Sequence, residues 1–286
     1  MNDASVIYKN AAGKQFILQG DDLCFIDVLP LFDYAWSYEL VNSASGMGGA
    51  AAHFARDPRT VGLELRVRGH SRQEFLQRIN RLQEIAEPDI LDNTPGKLYI
   101  NDQYMVCYLA VGGGVSSAPR NGNFATAEVN VLAVRPFWCR DVEYTFLPEE
   151  EGQGTGGPGK KYNLKYAYRY GTGTNRGKII NTHYLPCPMR IIVQGPASTP
   201  NLQIAGHTYK VNATILGTEY LVIDQVEHKI YKVGQNGNIT NLFNSRDKLN
   251  DIFLPAPVGE SAVQYTGTYT VSVTLVEQRS APEWTI

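Results

Sequence analysis

The sequence predicts a mainly β protein with two domains, and three observations carry this prediction. In the C-terminal half apolar and polar residues alternate, as in 269–275, and this period of two is typical of strands with one buried face. The N-terminal half has strand patterns around a single helical pattern at 71–87. The chain also carries 27 glycines and 17 tyrosines in 286 residues, which favours many turns and strands.

The N-terminal half predicts short strands followed by one helix and a hairpin. The capping pair Ser71 and Glu74 predicts the start of the helix, and Pro88 predicts its end. One apolar stripe should face an open sheet; it comprises Phe75, Leu76, Ile79, Leu82, Ile85 and Ala86. The predicted strands are 5–9, 15–18, 23–40 with a break at Pro30, 61–68, a hairpin over 97–111 that turns at Asn101 and Asp102, and 123–134.

A segment rich in small residues, 42–58, predicts a long irregular loop between two strands. Such a loop costs backbone entropy that its few large side chains cannot offset, so we expect it to become ordered on assembly. It is the candidate subunit-contact loop, and the candidate residues are Gly46, Met47, Gly48, Gly49, His53 and Phe54.

The predicted domains are 1–140, a glycine-rich linker at 141–162, and an antiparallel β-sandwich at 163–286. Within the sandwich, Asn236 and Gly237 predict a type I′ hairpin turn, because both central residues of that turn need positive φ.

Motifs for catalysis or cofactors lack the context that they need. Gly152, Gly154 and Gly157 form a literal G-x-G-x-x-G, but no strand–helix unit surrounds it, and Lys161 stands where a P-loop needs Ser or Thr. The five histidines show no metal-ligand spacing, and the four cysteines, among them Cys107 in an apolar run, form no Cys-x-x-Cys pair. We therefore expect no catalytic residue, no cofactor and no metal, and we do not expect an enzyme.

Three aromatic residues are candidates for facing a ligand or a partner: Tyr220, Tyr231 and Trp284. Aromatic faces can stack on sugar rings, whereas in strands aromatic residues more often pack against neighbouring strands.

Short signatures in the C-terminal half follow one another in a family-specific order: Gly195-Pro196-Ala197, Pro200-Asn-Leu-Gln-Ile, Tyr220-Leu-Val-Ile-Asp, Asn241-Leu-Phe-Asn, Phe253-Leu-Pro-Ala-Pro-Val-Gly, and Glu277-Gln-Arg with Glu283-Trp284. In this order the half resembles the distal tail protein (Dit) family of long-tailed, siphovirus-type bacteriophages. The element order of the N-terminal half, with Trp138 near a strand end, resembles the ring-forming domain of the same family.

The resemblance implies a tail-tube-like N-terminal sheet with one α-helix and a galectin-like C-terminal β-sandwich. It implies a structural hub in the virion, at the distal end of the tail, that forms a hexameric ring around a channel for DNA. The implied partners are other copies of the chain, the tail tube protein, tail-tip or tail-associated proteins, and receptor-binding or baseplate proteins. Synthesis would take place in the cytoplasm of the host bacterium.

Two other function classes stay open: a carbohydrate-binding adhesion module of the virion and, third, a hydrolase. A formal charge of −2 gives no general attraction to nucleic acid or anionic lipid, so we expect no specific nucleic-acid binding. No apolar run reaches 18 residues, and we expect no membrane insertion.

Overall fold

The structure is a computed structural model that describes residues 6–18, 20, 22–112, 122–148, 175–265 and 269–283. The chain divides into two compact units, Met1–Arg140 together with Gln278–Ile286, and Asp141–Glu277. The sequence predicted that 278–286 belong to the second domain, whereas the described part of this segment, 278–283, groups with the first unit. Residues 141–146, assigned to the linker, continue a strand; the glycine-rich part of that linker, 149–162, lies outside the described residues.

The first unit contains one large antiparallel sheet and one helix. Its elements are β1 (Val6–Lys9), β2 (Gln15–Ile17), β3 (Leu23–Phe25), a 3-10 helix (Leu29–Leu31), β4 (Ser37–Asn42), β5 (Gly49–Ala55), β6 (Arg59–Arg68), α1 (Arg72–Leu91), β7 (Gly96–Ile100), β8 (Gln103–Val111) and β9 (Phe124–Phe146). The sheet order is β3-β6-β9-β8-β7-β1-β2. Strands β4 and β5 pair with each other in a separate two-stranded sheet.

The core of the first unit lies between the sheet and α1. Alternation along β6 buries Val61, Leu63, Leu65 and Val67 on one face, as the sequence predicts. From α1, Phe75, Leu82, Ile85 and Ala86 join this core, with Ile79 partly buried against it. Leu76, which we assigned to the same stripe, is 44% exposed, because it lies about 100° around the helix from Phe75.

Helix α1 begins as predicted and ends later than predicted. Ser71 is the N-cap, and its Oγ accepts a hydrogen bond from Glu74 N at 3.1 Å. The predicted end at Pro88 is wrong, because the helix continues to Leu91. The last turn is held from outside the helix: the buried Asp89 carboxylate accepts bonds from Tyr8 Oη (2.6 Å) and Ala11 N (3.0 Å). These bonds stabilise the last turn, in which Pro88 lacks the N–H of a regular helical residue.

Strand β9 also passes a proline. Its register against β8 shifts between Trp138, which faces Met105, and Arg135, which faces Val106. Pro136 lies in this irregularity, where a strand tolerates the missing donor. The strand therefore extends to Phe146, well past the predicted end at 134.

The second unit is an antiparallel sandwich, which confirms the predicted fold class. Its elements are the end of β9, β10 (Asn175–Asn181), β11 (Met189–Gln194), β12 (Ala197–Ser198), β13 (Asn201–Ile204), β14 (His207–Lys210), β15 (Thr214–Ile215), β16 (Tyr220–Asp224), β17 (Lys229–Val233), β18 (Ile239–Asn241), a 3-10 helix (Phe243–Ser245), β19 (Gly259–Tyr265) and β20 (Val271–Arg279). One sheet runs β18-β17-β16-β11-β20, and the other runs β10-β19-β13-β14.

The predicted type I′ turn at Asn236 and Gly237 is wrong. Only Gly237 has positive φ (76°), and its N–H bonds to Gly234 O, so the connection is longer than two residues. The two-residue turn with positive φ at both positions is at Ala205 (52°) and Gly206 (79°), between β13 and β14.

Candidate assembly surface

The segment predicted to be a loop is a β-hairpin, so the prediction of an irregular 42–58 is wrong. Strands β4 and β5 are antiparallel, with Leu40 opposite Ala51 and Asn42 opposite Gly49. The sequence signal was weak because β5 is mostly alanine and glycine, which have low strand propensity. Gly49 fits the close pairing, since a Cβ there would meet Val41 O at 2.6 Å.

The hairpin exposes most of its apolar side chains. Every residue of β4 is exposed, and the Tyr38 and Phe54 rings contact each other at 5.9 Å between centroids instead of entering a core. Met47 at the tip is 88% exposed, and Leu40 and Val41 are both more than half exposed. An exposed apolar surface of this kind is typical of a protein–protein contact.

The tip is a tight turn closed by backbone hydrogen bonds. Ser43 N donates to Gly48 O (2.9 Å), and Gly46 N donates to Ser43 O (3.0 Å). Gly46 and Gly48 both have positive φ, which their missing Cβ permits. His53 also has positive φ and lies where the register between the two strands shifts, at a β-bulge.

An arginine fixes the base of the hairpin. The Arg56 guanidinium lies over the rings of Tyr34 (5.4 Å), Trp36 (5.7 Å) and Phe137 (4.8 Å), and Nη1 donates to Ser280 O at 3.2 Å. Burial lowers the pKa of Arg56, and the nearby Arg59 lowers it further. Cation–π contacts of this kind are stronger when desolvated, so this cluster anchors an otherwise exposed element. This cluster was not predicted from the sequence, in which its only signal is the aromatic pair Tyr34 and Trp36 before β4.

The structure thus brings all six candidate contact residues into one element. Their positions are the tip for Gly46, Met47 and Gly48, the start of β5 for Gly49, the bulge for His53, and the end of β5 for Phe54.

The candidate aromatic residues of the second unit lie on the outer face of its larger sheet. Tyr220 is opposite Val233, and Tyr231 is opposite Val222, which places both rings on one face of adjacent strands. Tyr220 is 40% exposed and Tyr231 is half-buried. Burial raises the pKa of Tyr231, and the Asp224 carboxylate raises it further. Trp284 lies outside the described residues.

A shallow groove of about 430 Å³ adjoins Tyr231 on this face. Asn241 and Phe243 form one side, and Asp224 forms part of the other. The Asp224 carboxylate is already occupied, since Oδ2 accepts from Arg190 Nε (3.0 Å) and Oδ1 accepts from Val226 N and Glu227 N. The groove therefore offers the Tyr231 ring, the Asn241 amide and an Asp224 carboxylate that is already paired with Arg190. Its lining also includes Glu227, His228 and Lys229.

Cys187 and His183, which lie four residues apart in the sequence, do not support nucleophilic chemistry. Cys187 Sγ contacts Asn181 Oδ1 at 3.3 Å, and His183 Nδ1 accepts from Leu185 N. Burial raises the pKa of the Cys187 thiol to about 11, which disfavours the thiolate that a nucleophile requires. Within the described part of the chain, no three His, Cys, Asp or Glu side chains could share a metal ion. No helix of the described residues is long and apolar enough to cross a membrane.

Solved structures of similar fold include two phage proteins. A chain in the structure of the phage P2 baseplate in its activated conformation with Ca matches with a TM-score of 0.62 at 14% identity, over 98% of this chain and 99% of that chain. The crystal structure of the SPP1 Dit (gp 19.1) protein, described as a paradigm of the hub adsorption apparatus in phages that infect Gram-positive bacteria, matches with a TM-score of 0.52 at 13% identity, over 96% and 99%.

This chain has the fold of the SPP1 Dit protein. The resemblance to distal tail proteins is thereby confirmed at the level of fold, over nearly the whole chain. No protein-family model matches the chain, and no curated protein matches it.

Proposed function

We propose that the chain is a structural hub at the distal end of a bacteriophage tail. The observation that carries this proposal is the likeness to the P2 baseplate chain and SPP1 Dit across almost the full length of all three chains, so that both units are included. The role is structural and not enzymatic, and the protein resides in the virion after synthesis in the cytoplasm of the host bacterium.

In this proposal the first unit forms a ring of six copies around a channel through which DNA passes. The ring joins the tail tube to tail-tip or tail-associated proteins. The β4–β5 hairpin supports an assembly role because an isolated two-stranded hairpin is marginally stable in water and gains stability when another surface covers it. Its exposed Tyr38, Leu40, Met47 and Phe54 supply the apolar contact area.

The second unit holds receptor-binding or other baseplate proteins. Its outer sheet face, with Tyr220, Tyr231 and the adjoining groove, is the surface that we propose for them. Exposed tyrosines are enriched at protein interfaces because their rings bury apolar area while the hydroxyl keeps a polar partner.

A carbohydrate-binding adhesion function is the second candidate, favoured by the groove that combines Tyr231 with Asn241 and Asp224. Binding of soluble oligosaccharides from bacterial cell walls should be measured by calorimetry with the full chain and with Tyr231→Ala. Saccharide binding that Tyr231→Ala abolishes would favour this candidate, and its absence at millimolar concentration would leave protein contacts as the role of this face.

The ring is tested by the mass of the full chain in solution. Six copies of 31.7 kDa give about 190 kDa, and negative-stain images should show closed rings. A folded protein that stays monomeric at all accessible concentrations, alone and with tail tube protein, would contradict the ring.

Hydrogen exchange tests the role of the hairpin separately. Backbone amides at 43–56 should exchange fast in the isolated protomer and slowly in the ring, since covering the hairpin removes local opening. Equal, rapid exchange in both forms would leave the hairpin without an assembly role.

A further inference from the structure

Strand β2 has one edge without a strand partner among the described residues. β2 pairs with β1 on one side, and it is the last strand of the sheet. Leu18 N donates to Val6 O, and Asn10 N donates to Lys14 O. The backbone N–H and C=O groups of residues 14, 16 and 18 therefore point toward β1. By the same alternation, the backbone N–H and C=O groups of Gln15 and Ile17 point away from β1. This edge can therefore accept one more strand.

A groove runs along that edge between β2 and α1. Two adjoining cavities of about 410 and 570 Å³ share Gln15 and Arg81 as lining residues. Their apolar lining includes Phe16, Leu82 and Ile85. Their charged lining comprises Lys14, Arg78 and Arg81 together with the carboxylates of Asp22 and Glu84. Arg78 pairs with Asp22 (3.1 Å) and Glu74 (2.6 Å), whereas neither Lys14 nor Arg81 makes a salt bridge within the described residues. The groove thus combines a strand edge without a strand partner among the described residues, an apolar base, and a rim with three positive and two negative side chains, of which Arg78 and Asp22 pair with each other.

The β4–β5 hairpin has the complementary properties. Ser43 N bonds to Gly48 O, and by alternation the backbone groups of Gly49 and Ala51 point away from β4. The side chains of β5 from Gly49 to Ala52 are the smallest in any strand of the unit, so this edge can approach another strand closely. Glu39, opposite Ala52, is the only charged side chain between Ser37 and Ala55. Its charge is opposite to that of Arg81 and Lys14.

We propose that the free edge of β5 in one copy of the chain adds as a strand to the free edge of β2 in a second copy, with Glu39 near Arg81. This inference rests on the proposed ring and names the two surfaces that would join its subunits. Because donor and acceptor are different surfaces of the same chain, the contact is head-to-tail, and head-to-tail contacts close into rings when the rotation between copies permits. Backbone pairing supplies affinity, and the polar rim supplies register.

Cysteine cross-linking of two mixed populations tests the pairing. In a Cys24→Ser background, one full-length chain carries Gln15→Cys and the other Ala51→Cys, and an oxidant is added after assembly. We expect a disulfide-linked dimer in the mixture and little from either chain alone. A single chain with both substitutions should give a ladder of covalent oligomers. The matched control replaces Gln15→Cys by Gln83→Cys, which is exposed on the side of α1 away from Arg81. It should give at least about tenfold less disulfide-linked dimer.

The outcomes separate this inference from the proposed function. Rings that form without a Gln15→Cys to Ala51→Cys cross-link overturn the pairing and leave the hub proposal standing. Efficient cross-linking of Ala51→Cys with itself overturns the pairing in favour of a hairpin–hairpin contact. A protein that never assembles overturns both.

Charge reversal gives an independent measurement. Glu39→Arg and Arg81→Glu should each weaken ring association at least about tenfold, because each creates a like-charge contact at the joint. The double variant should recover most of the loss, since it restores an opposite pair. Equal losses in the single and double variants, with native circular dichroism, would overturn the contact between Glu39 and Arg81.

Discussion

A small number of buried polar side chains hold secondary-structure elements in positions that apolar packing alone does not determine. Asp89 is 1% exposed and accepts hydrogen bonds from Tyr8 and Ala11, which joins the end of α1 to the turn after β1. Burial raises the pKa of Tyr8, and the bond to Asp89 raises it further, so the phenol stays protonated and donates. Gly96 lies against the same pair, where a Cβ would come within 2.5 Å of both.

Replacing Tyr8 by phenylalanine should lower the free energy of unfolding by about 1–3 kcal/mol, because Asp89 Oδ2 loses its buried donor. Urea unfolding monitored by circular dichroism measures this change in the monomer. Tyr38→Phe is the matched control: its ring is 58% exposed, and the change should stay within about 0.5 kcal/mol. Equal stabilities of Tyr8→Phe and wild type would show that the hydroxyl contributes nothing.

Two buried thiols should make the free energy of unfolding fall at alkaline pH. Burial raises the pKa of Cys107 from 9.0 to about 12 and that of Cys187 to about 11. A raised folded pKa gives full stability below the unfolded pKa, so stability should fall from about pH 9 upward, by up to about 1.4 kcal/mol per pH unit for each thiol. Urea unfolding measured from pH 8 to 11 should show that the free energy of unfolding falls more steeply with pH for wild type than for Cys107→Ala. Parallel curves would contradict the contribution of this thiol.

At the scale of elements, hydrophobic periodicity correctly predicted which face of a helix or strand is buried. It failed where contacts with residues outside the element determine where that element ends. The inward face of α1 and the alternation along β6 follow from local patterns, and both are observed. The end of α1 depends on Asp89 binding to a distant strand, and the extension of β9 depends on a bulge opposite β8 that accommodates Pro136. Neither partner is visible in a local window of sequence.

The hairpin was missed for a different reason, because its partner strand is local but carries no strand pattern. The alanine-rich strand β5 shows no alternation of apolar and polar residues. Strands β4 and β5 are stabilised by pairing with each other instead of by burial of apolar side chains. The six candidate residues all lie on this hairpin, and their role as subunit contacts stays a prediction. The clamp at Arg56 was not predicted, since Phe137 and Ser280 lie 81 and 224 residues away in the sequence.

Truncation of Leu82 tests the packing of α1. Leu82 is 2% exposed, and Leu82→Ala should destabilise the first unit by about 2–5 kcal/mol through lost burial and a residual cavity. Leu76→Ala, on the exposed side of the same helix, should change stability by less than about 0.5 kcal/mol. Similar losses in the two variants, measured by urea unfolding, would mean that the helix does not pack through the face described.

At the scale of the whole molecule, the chain passes between its two units twice. Strand β9 leaves the first unit after Arg140, and β20 returns to it at Gln278. Within the first unit the returning segment is held by two hydrogen bonds, from Arg56 Nη1 to Ser280 O and from Glu283 N to Gln103 Oε1. The C-terminal residues are thus part of the N-terminal fold, which a division into consecutive domains did not predict.

Limited proteolysis should cut first within 149–160, where the sequence Glu-Glu-Glu-Gly-Gln-Gly-Thr-Gly-Gly-Pro-Gly-Lys favours an exposed backbone. Denaturing gels should show two fragments. Native size exclusion should show one peak, because the second fragment carries residues 278–283 that bond within the first unit. Fragments that separate without denaturant, or a first cut within 61–136, would contradict this organisation.

The function that we propose for this protein is that of a hub at the distal end of a phage tail. Immunogold electron microscopy of virions, with antibodies against this chain, tests it most directly. Gold should lie at the end of the tail opposite the head, with few particles elsewhere. Label on the head, label along the tube, or virions without label would contradict the claim.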